Sequence, residues 1–124
     1  PNTCYIYNKA MAEAGPFEKF DNKKTFKKEV FDNIRTWGFQ KGILQGGDTK
    51  TQLIKLYEEA GELSEAVLKN NKNDIIDAVG DIIIVLTNFA ELQGVSIEDC
   101  IQSAYNEVSN RTGRMINGTF VKDE

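Results

Sequence analysis

The chain has no histidine and only two cysteines, Cys4 and Cys100, far apart and outside any CxxC pair. Thiolate and imidazole are the ligands that hold zinc in proteins, so a zinc site of that kind is excluded. Basic residues are outnumbered 15 to 19, leaving a net charge of -4 and an isoelectric point near 4.9. Binding a nucleic acid duplex requires a basic face that releases counterions, so duplexes are not expected as partners. Long apolar runs are also missing. The longest, Ile82 to Leu86, falls far short of the ~20 residues that span a bilayer, and no membrane association is expected. The opening stretch PNTCYIYNKAMAEAG lacks a basic flank leading into an apolar core, so a cytoplasmic, reducing setting is expected. No GxxxxGK[ST] loop is present to cradle phosphates.

What the chain does have is 124 residues, 40% hydrophobic and 27% charged, enough for one domain with a core and too little for two. A single helical domain over residues 1–124 is expected, with residues 1–23 as an irregular arm. From Thr25 to Trp37, Phe26, Val30, Phe31 and Ile34 recur at helical spacing, and GFQKGILQGGD then breaks the pattern with glycines. A second helix is predicted from a cap at Asp48 or Thr49 to Lys69, with Leu53, Leu56, Ala60, Leu63 and Val67 as its core stripe. KNNKND makes the turn, its asparagines suited to a left-handed cap and to starting the next helix. A third helix follows over Asp74–Leu92, and a fourth from Ser96 towards Gly113, striped by Ile97, Ile101, Ala104 and Val108. Strand signals are weak, and the tail reads as irregular. The expected fold is all-α: a bundle of about four helices around an antiparallel helix hairpin.

The hairpin brings acids together. LYEEAGELSEAV carries Glu58, Glu59, Glu62 and Glu65 on the second helix. Around the expected stripe, Glu59 and Glu62 border the core, while Glu58 and Glu65 point outward as solvated residues. On the third helix Asp74, Asp77, Asp81 and Asn88 fall within roughly 60° of one another. Glu62 and Asp81 are equidistant from the Asn71–Lys72 turn, so antiparallel packing sets them level. Glu59, Glu62, Asp77 and Asp81 then share a patch ~10 Å long. Two carboxylates ~4 Å apart repel by about 1 kcal/mol in water and about 4 at an effective dielectric of 20. Such a patch takes up protons or binds cations, and oxygen ligands alone select Mg²⁺ or Mn²⁺. Periodicity by itself leaves a solvated acidic face equally open.

KLYEEAGELSEAV, followed by DAVGDIIIVLTNFAELQG, resembles the MazG-like all-α nucleoside triphosphate pyrophosphohydrolases, whose signature is E-E-x-x-E and then E-x-x-D. The tail AYNEVSNRTGRMINGTFVK is similar to that of the small single-domain bacterial and phage members. The resemblance covers residues 30–122. It implies metal-dependent hydrolysis of a nucleoside triphosphate between the α and β phosphates, giving a monophosphate and pyrophosphate. By match to the motif, Glu59, Glu62 and Asp81 would ligate the metal with Asp77 as a fourth, and Glu59 and Glu62 would be catalytic, Glu59 orienting or deprotonating water. One departure stands out: where the signature has its second Glu, this chain has Ala78, with the acid one residue earlier at Asp77, which leaves the number of ions open.

Lys55, Arg111, Arg114 and Lys122 are candidates for phosphate contacts, against ordinary roles as helix caps or surface charges. Trp37 is a candidate for stacking on a base, against core packing, and Asn106 for a polar contact. A dedicated dUTP or dCTP pyrophosphatase on the same scaffold is one alternative, and a non-catalytic helical interaction module another. A di-iron bundle is discounted, since those sites use Glu-x-x-His motifs. A hairpin with exposed apolar faces needs covering, so a homo-oligomer is expected.

Overall fold

The structure, a computed structural model, describes residues 27–124. The arm expected over residues 1–23, and the helix start expected at Thr25 and Phe26, lie outside the described residues. Two compact units divide the chain, one formed by residues 28–104 and the other including residues 105–124.

The described elements are α1 (Val30–Gln40), α2 (Ile43–Gly46), α3 (Thr49–Leu68), α4 (Lys72–Leu92), α5 (Ile97–Val108), β1 (Gly113–Ile116) and β2 (Thr119–Lys122). The expected all-α architecture is what forms, and α3 packed on α4 is its main helix pair. Capping chemistry sets the ends. Asp48 opens α3 by accepting from the Thr51 backbone N–H at 2.8 Å and its hydroxyl at 2.9 Å. At the hairpin turn Asn70 takes the left-handed conformation, φ 53°, and Asn71 caps α4 by accepting from the Asp74 N–H at 3.1 Å. Ser96 does the same for Asp99 at the start of α5.

The core stripe of α3 differs from the expected one. Glu59 and Ala66 are its buried residues, whereas Leu53 and Val67 are 43% and 56% exposed. The contact line with α4 is therefore turned away from Ala60 toward Glu59. A run of leucines at heptad spacing suggested the other line, but the small Ala66 and Ala78 are the residues buried, which fits closely approaching helices.

On α4 the C-terminal half is enclosed, with Val85, Thr87, Asn88 and Ala90 buried. The Thr87 hydroxyl is satisfied by the Ile83 carbonyl at 2.7 Å. Here α1 crosses, and Gly38 presses against the Asn88 side chain so closely that any Cβ would overlap Asn88 Oδ1. Burial is not complete, since Ile76, Val79 and Ile83 stay 37%, 48% and 36% exposed. A second tie holds α1 to the start of α5: Arg35 forks onto both Glu98 oxygens at 2.7 and 2.6 Å and also bonds Asp32 at 2.6 Å.

The tail is not irregular. Residues 113–122 form an antiparallel hairpin in which Arg114 pairs with Val121 and Gly113 with Lys122. Asn117 and Gly118 make the two-residue turn, with φ 50° and 83°. Asn-Gly is a favoured pair where both central residues need positive φ. Both strands are exposed along their length, so the alternation of apolar residues that marks a buried strand is absent. Among the described residues, no helix is long and apolar enough to cross a membrane.

Candidate active site

Glu59 sits in the α3–α4 contact, 7% exposed, with its Oε2 atom buried and unpaired. A buried carboxylate oxygen without a donor is costly, so something must neutralise it. Glu58 and Glu62 surround it: one oxygen from each of the three glutamates lies within 4.8 Å of the others. Burial first, then the adjacent Glu62 carboxylate and the charge of Asp81 push the Glu59 carboxyl above its ordinary pKa. Lys55 acts in the opposite sense, its ammonium 3.3 Å from Glu58 and 3.7 Å from Glu59.

Alongside this cluster, α3 and α4 enclose a cleft of about 420 Å³. Glu62 and Glu65 line it from α3; Asp74, Asp77 and Asp81 line it from α4. Ala66 and Ala78, each 4% exposed, complete the lining. Lys69 lies at the turn end of the cleft, paired with Glu65 at 2.6 Å.

The structure thus brings Glu62, Asp77 and Asp81 to one cleft and puts Glu59 within the electrostatic reach of Glu62 and Asp81. Glu58 and Glu65 are solvated as expected, their side chains 56% and 63% exposed and paired with Lys55 and Lys69, but they do not face away from the site. Glu58 belongs to the glutamate cluster and Glu65 to the cleft wall. The cause is the turned contact line of α3: with Glu59 near its centre, Glu58, Glu62 and Glu65 all fall on one flank. Lys69 had escaped sequence reasoning, although its Glu65-to-Lys69 spacing of one helical turn was the available signal. Ala78 is buried in the helix contact, so the acid offset to Asp77 stands on the cleft wall rather than the floor.

The other predicted residues are placed as follows. Lys55 reaches the glutamates. Trp37, on α1, is 43% exposed and lines a groove with Ile84 of α4, which corrects the core-packing alternative. In the second unit, the Asn106 carbonyl accepts from Ser109 and Asn110 near the end of α5. Arg111 pairs with Glu107 at 3.1 Å. Arg114 and Lys122 occupy consecutive rungs of the hairpin, and side chains on consecutive rungs leave opposite faces, so they do not form one cationic patch.

The MazG nucleotide pyrophosphohydrolase domain matches residues 48–115, from the cap of α3 into β1. An uncharacterized 18.2 kDa protein from the rep-hol intergenic region of Haemophilus phage HP1 is 33% identical over 63 residues, 51% of this chain and 39% of the relative. An uncharacterized protein of Acanthamoeba polyphaga mimivirus is 39% identical over 49 residues, 40% of this chain and 20% of the relative. The chain spans less than half the length of these curated relatives. No solved structure matches it. The match covers more than half of the chain and contains both acid-bearing helices: the chain belongs to the MazG nucleotide pyrophosphohydrolase domain family.

Proposed function

We propose that this chain hydrolyses nucleoside triphosphates between the α and β phosphates, releasing a nucleoside monophosphate and pyrophosphate, with Mg²⁺ or Mn²⁺ held between α3 and α4. The observation that carries this reading is Glu59. A buried carboxylate with an orphan oxygen and two more glutamates beside it destabilises a helix contact unless a cation is taken up there. The donor set fits a hard divalent ion, because it is all oxygen and the chain has no histidine.

Glu59, Glu62 and Asp81 would hold the ion, with Asp77 as a fourth donor from the cleft wall. When bound, such an ion neutralises triphosphate charge and draws electron density from the phosphorus under attack. The remaining work falls to the chain. Glu59, buried at the centre of the cluster with one oxygen unpaired, would orient or deprotonate the attacking water. The water oxygen bonds to one phosphorus of the α–β bridge, the bridging oxygen leaves with the other, and the proton passes to Glu59. Glu62, beside Glu59 in the glutamate cluster, would share the ion with it. Lys55 is the cation already seated on the cluster, and it is free to turn toward a phosphate oxygen when the divalent ion takes its place.

The exposed stripe of Ile76, Val79 and Ile83 on α4 supports self-association as a homo-oligomer, and a cytoplasmic setting belongs to the same reading. The test is product analysis by phosphorus NMR with a panel of nucleoside triphosphates, dUTP and dCTP included, and Mg²⁺. Pyrophosphate with monophosphate is expected, and Glu62→Gln should remove it while the helical spectrum is retained. Orthophosphate release, or full turnover by the variant, would overturn the reading.

A further inference from the structure

The hairpin of β1 and β2 is held differently at its two ends. At the open end Thr112 and Asp123 are joined twice, the Asp123 N–H donating to the Thr112 carbonyl and the Thr112 hydroxyl to the Asp123 carboxylate, each at 2.8 Å. At the closed end the pairing of Ile116 with Thr119 leaves Asn117 and Gly118 as the whole turn, so closure depends on these two residues keeping φ of 50° and 83°. Neither strand buries a residue. A two-stranded hairpin without a packed face is marginal in water, so the turn opens locally at little cost. Asn117-Gly118 is also the one Asn-Gly pair of the chain. Both residues are exposed, and a Cβ on Gly118 would meet nothing within 4 Å, which leaves the backbone nitrogen that follows Asn117 unshielded.

We infer that Asn117 is a site of spontaneous deamidation, and that the reaction dismantles the turn closing the hairpin. The Gly118 amide nitrogen attacks Cγ of Asn117. The new N–C bond forms as the bond from Cγ to Nδ2 breaks, ammonia leaves with the proton given up by the Gly118 nitrogen, and a five-membered cyclic imide remains. Water, the one co-reactant, then adds to an imide carbonyl and breaks its bond to the ring nitrogen. Opening at Cγ leaves aspartate; opening at the main-chain carbonyl leaves isoaspartate, whose backbone runs through Cβ and Cγ and is one carbon longer. A two-residue turn meets its strands through a fixed set of dihedrals, so the lengthened backbone cannot restore the pairing of Ile116 with Thr119. Either product also sets a carboxylate among Arg111, Arg114 and Lys122, the charged residues of 111–122. Glycine selects the site: every other asparagine of the chain is followed by a residue with a side chain, which hinders the attack and restricts the backbone that must bend to make it. The inference is independent of the pyrophosphohydrolase reading.

Trypsin cleaves after Arg114 and Lys122 and so releases residues 115–122, in which Asn117 is the sole side-chain amide. The full chain, aged in mildly alkaline buffer and digested briefly, should yield this peptide with the mass change of an amide becoming an acid, isoaspartate and aspartate forms separating on chromatography. Its rate of appearance should lie within about five-fold of that in the synthetic peptide of residues 115–122, because local opening of the hairpin costs little. Asn117→Gly tolerates the positive φ and has no amide to lose, so it should age without change and keep its hairpin. By NMR the aged parent should lose the cross-strand Hα–Hα contact between Met115 and Phe120, which are paired in the hairpin, in proportion to its isoaspartate content. Freshly prepared Asn117→Asp, which adds the charge without lengthening the backbone, should retain that contact. An unmodified 115–122 peptide from aged protein, at a time when the free peptide has been consumed, would overturn the site. Isoaspartate at residue 117 with the Met115 to Phe120 contact intact would overturn its effect on the hairpin.

Discussion

Gly38 of α1 rests directly against Asn88 of α4, and the Asn88 oxygen occupies the space that a Cβ would need. Neither partner has room to move, because Asn88 is 2% exposed and Gly38 is itself buried. Gly38→Ala must push α1 away or force Asn88 from its position. Such overpacking costs about 1 to 3 kcal/mol, despite the better helix propensity of alanine. Urea denaturation should show a lower midpoint for the variant with an unchanged slope.

Glu59 gives an opposite sign. Its folded-state pKa is raised, so its contribution opposes folding. The cost is absent at low pH, grows as pH rises through the unfolded value, and is fully present above the folded value. Glu59→Gln should therefore raise the melting temperature of the metal-free protein at neutral pH, with the gain vanishing near pH 4. The same variant should lose the stabilisation that Mg²⁺ or Mn²⁺ gives the parent protein. Differential scanning calorimetry with and without the ions reads both effects.

Arg35 and Glu98 predict an acid-sensitive tie. The side-chain hydrogen bond with Arg35 leads the causes that lower the Glu98 pKa from 4.5 to about 2. A lowered folded-state pKa means that the stabilisation is present above the unfolded value and lost as pH falls through the folded one. The window thus runs from about pH 4.5 down to about pH 2. Arg35→Gln should be less stable than the parent protein at pH 6, and the difference should shrink across that window in denaturation curves.

Ala78 tests the departure from the family signature. Placing Glu there restores the usual pattern but forces a larger, charged side chain into a position that is 4% exposed. The metal-free Ala78→Glu protein should lose about 3 kcal/mol, from overpacking together with an uncompensated buried charge. Mn²⁺ should restore part of the loss if the new carboxylate reaches the ion. Melting curves across a Mn²⁺ series check this, and a variant as stable as the parent without metal would show that the helices part easily here.

Much of the fold was legible because its signals are local. Asp48, Asn70, Asn71 and Ser96 mark helix ends through single side-chain or backbone preferences, and each performs the expected role. The facing of α3 was not legible in the same way. Leu53, Leu56, Leu63 and Val67 make a persuasive apolar stripe, but which of two neighbouring lines becomes the contact depends on how closely α4 approaches, and small Ala66 and Ala78 decide that. Glu58 and Glu65 were misplaced by the same rotation. The hairpin is not announced by the sequence because apolar alternation is missing on either side of Asn117-Gly118 and its strands bury neither face. The groove at Trp37 depends on the crossing of α1 over α4 at Gly38, a contact across fifty residues that no local pattern announces.

The central claim is that carboxylates of α3 and α4 jointly hold a divalent ion that can carry a triphosphate. Calorimetric titration of Mn²⁺, with a non-hydrolysable triphosphate present, into the parent protein, Glu62→Gln and Asp81→Asn measures this directly. Saturable binding by the parent, weakened at least ten-fold by either substitution, is the predicted result. Equal binding by all three proteins, or no binding by the parent, would contradict the site.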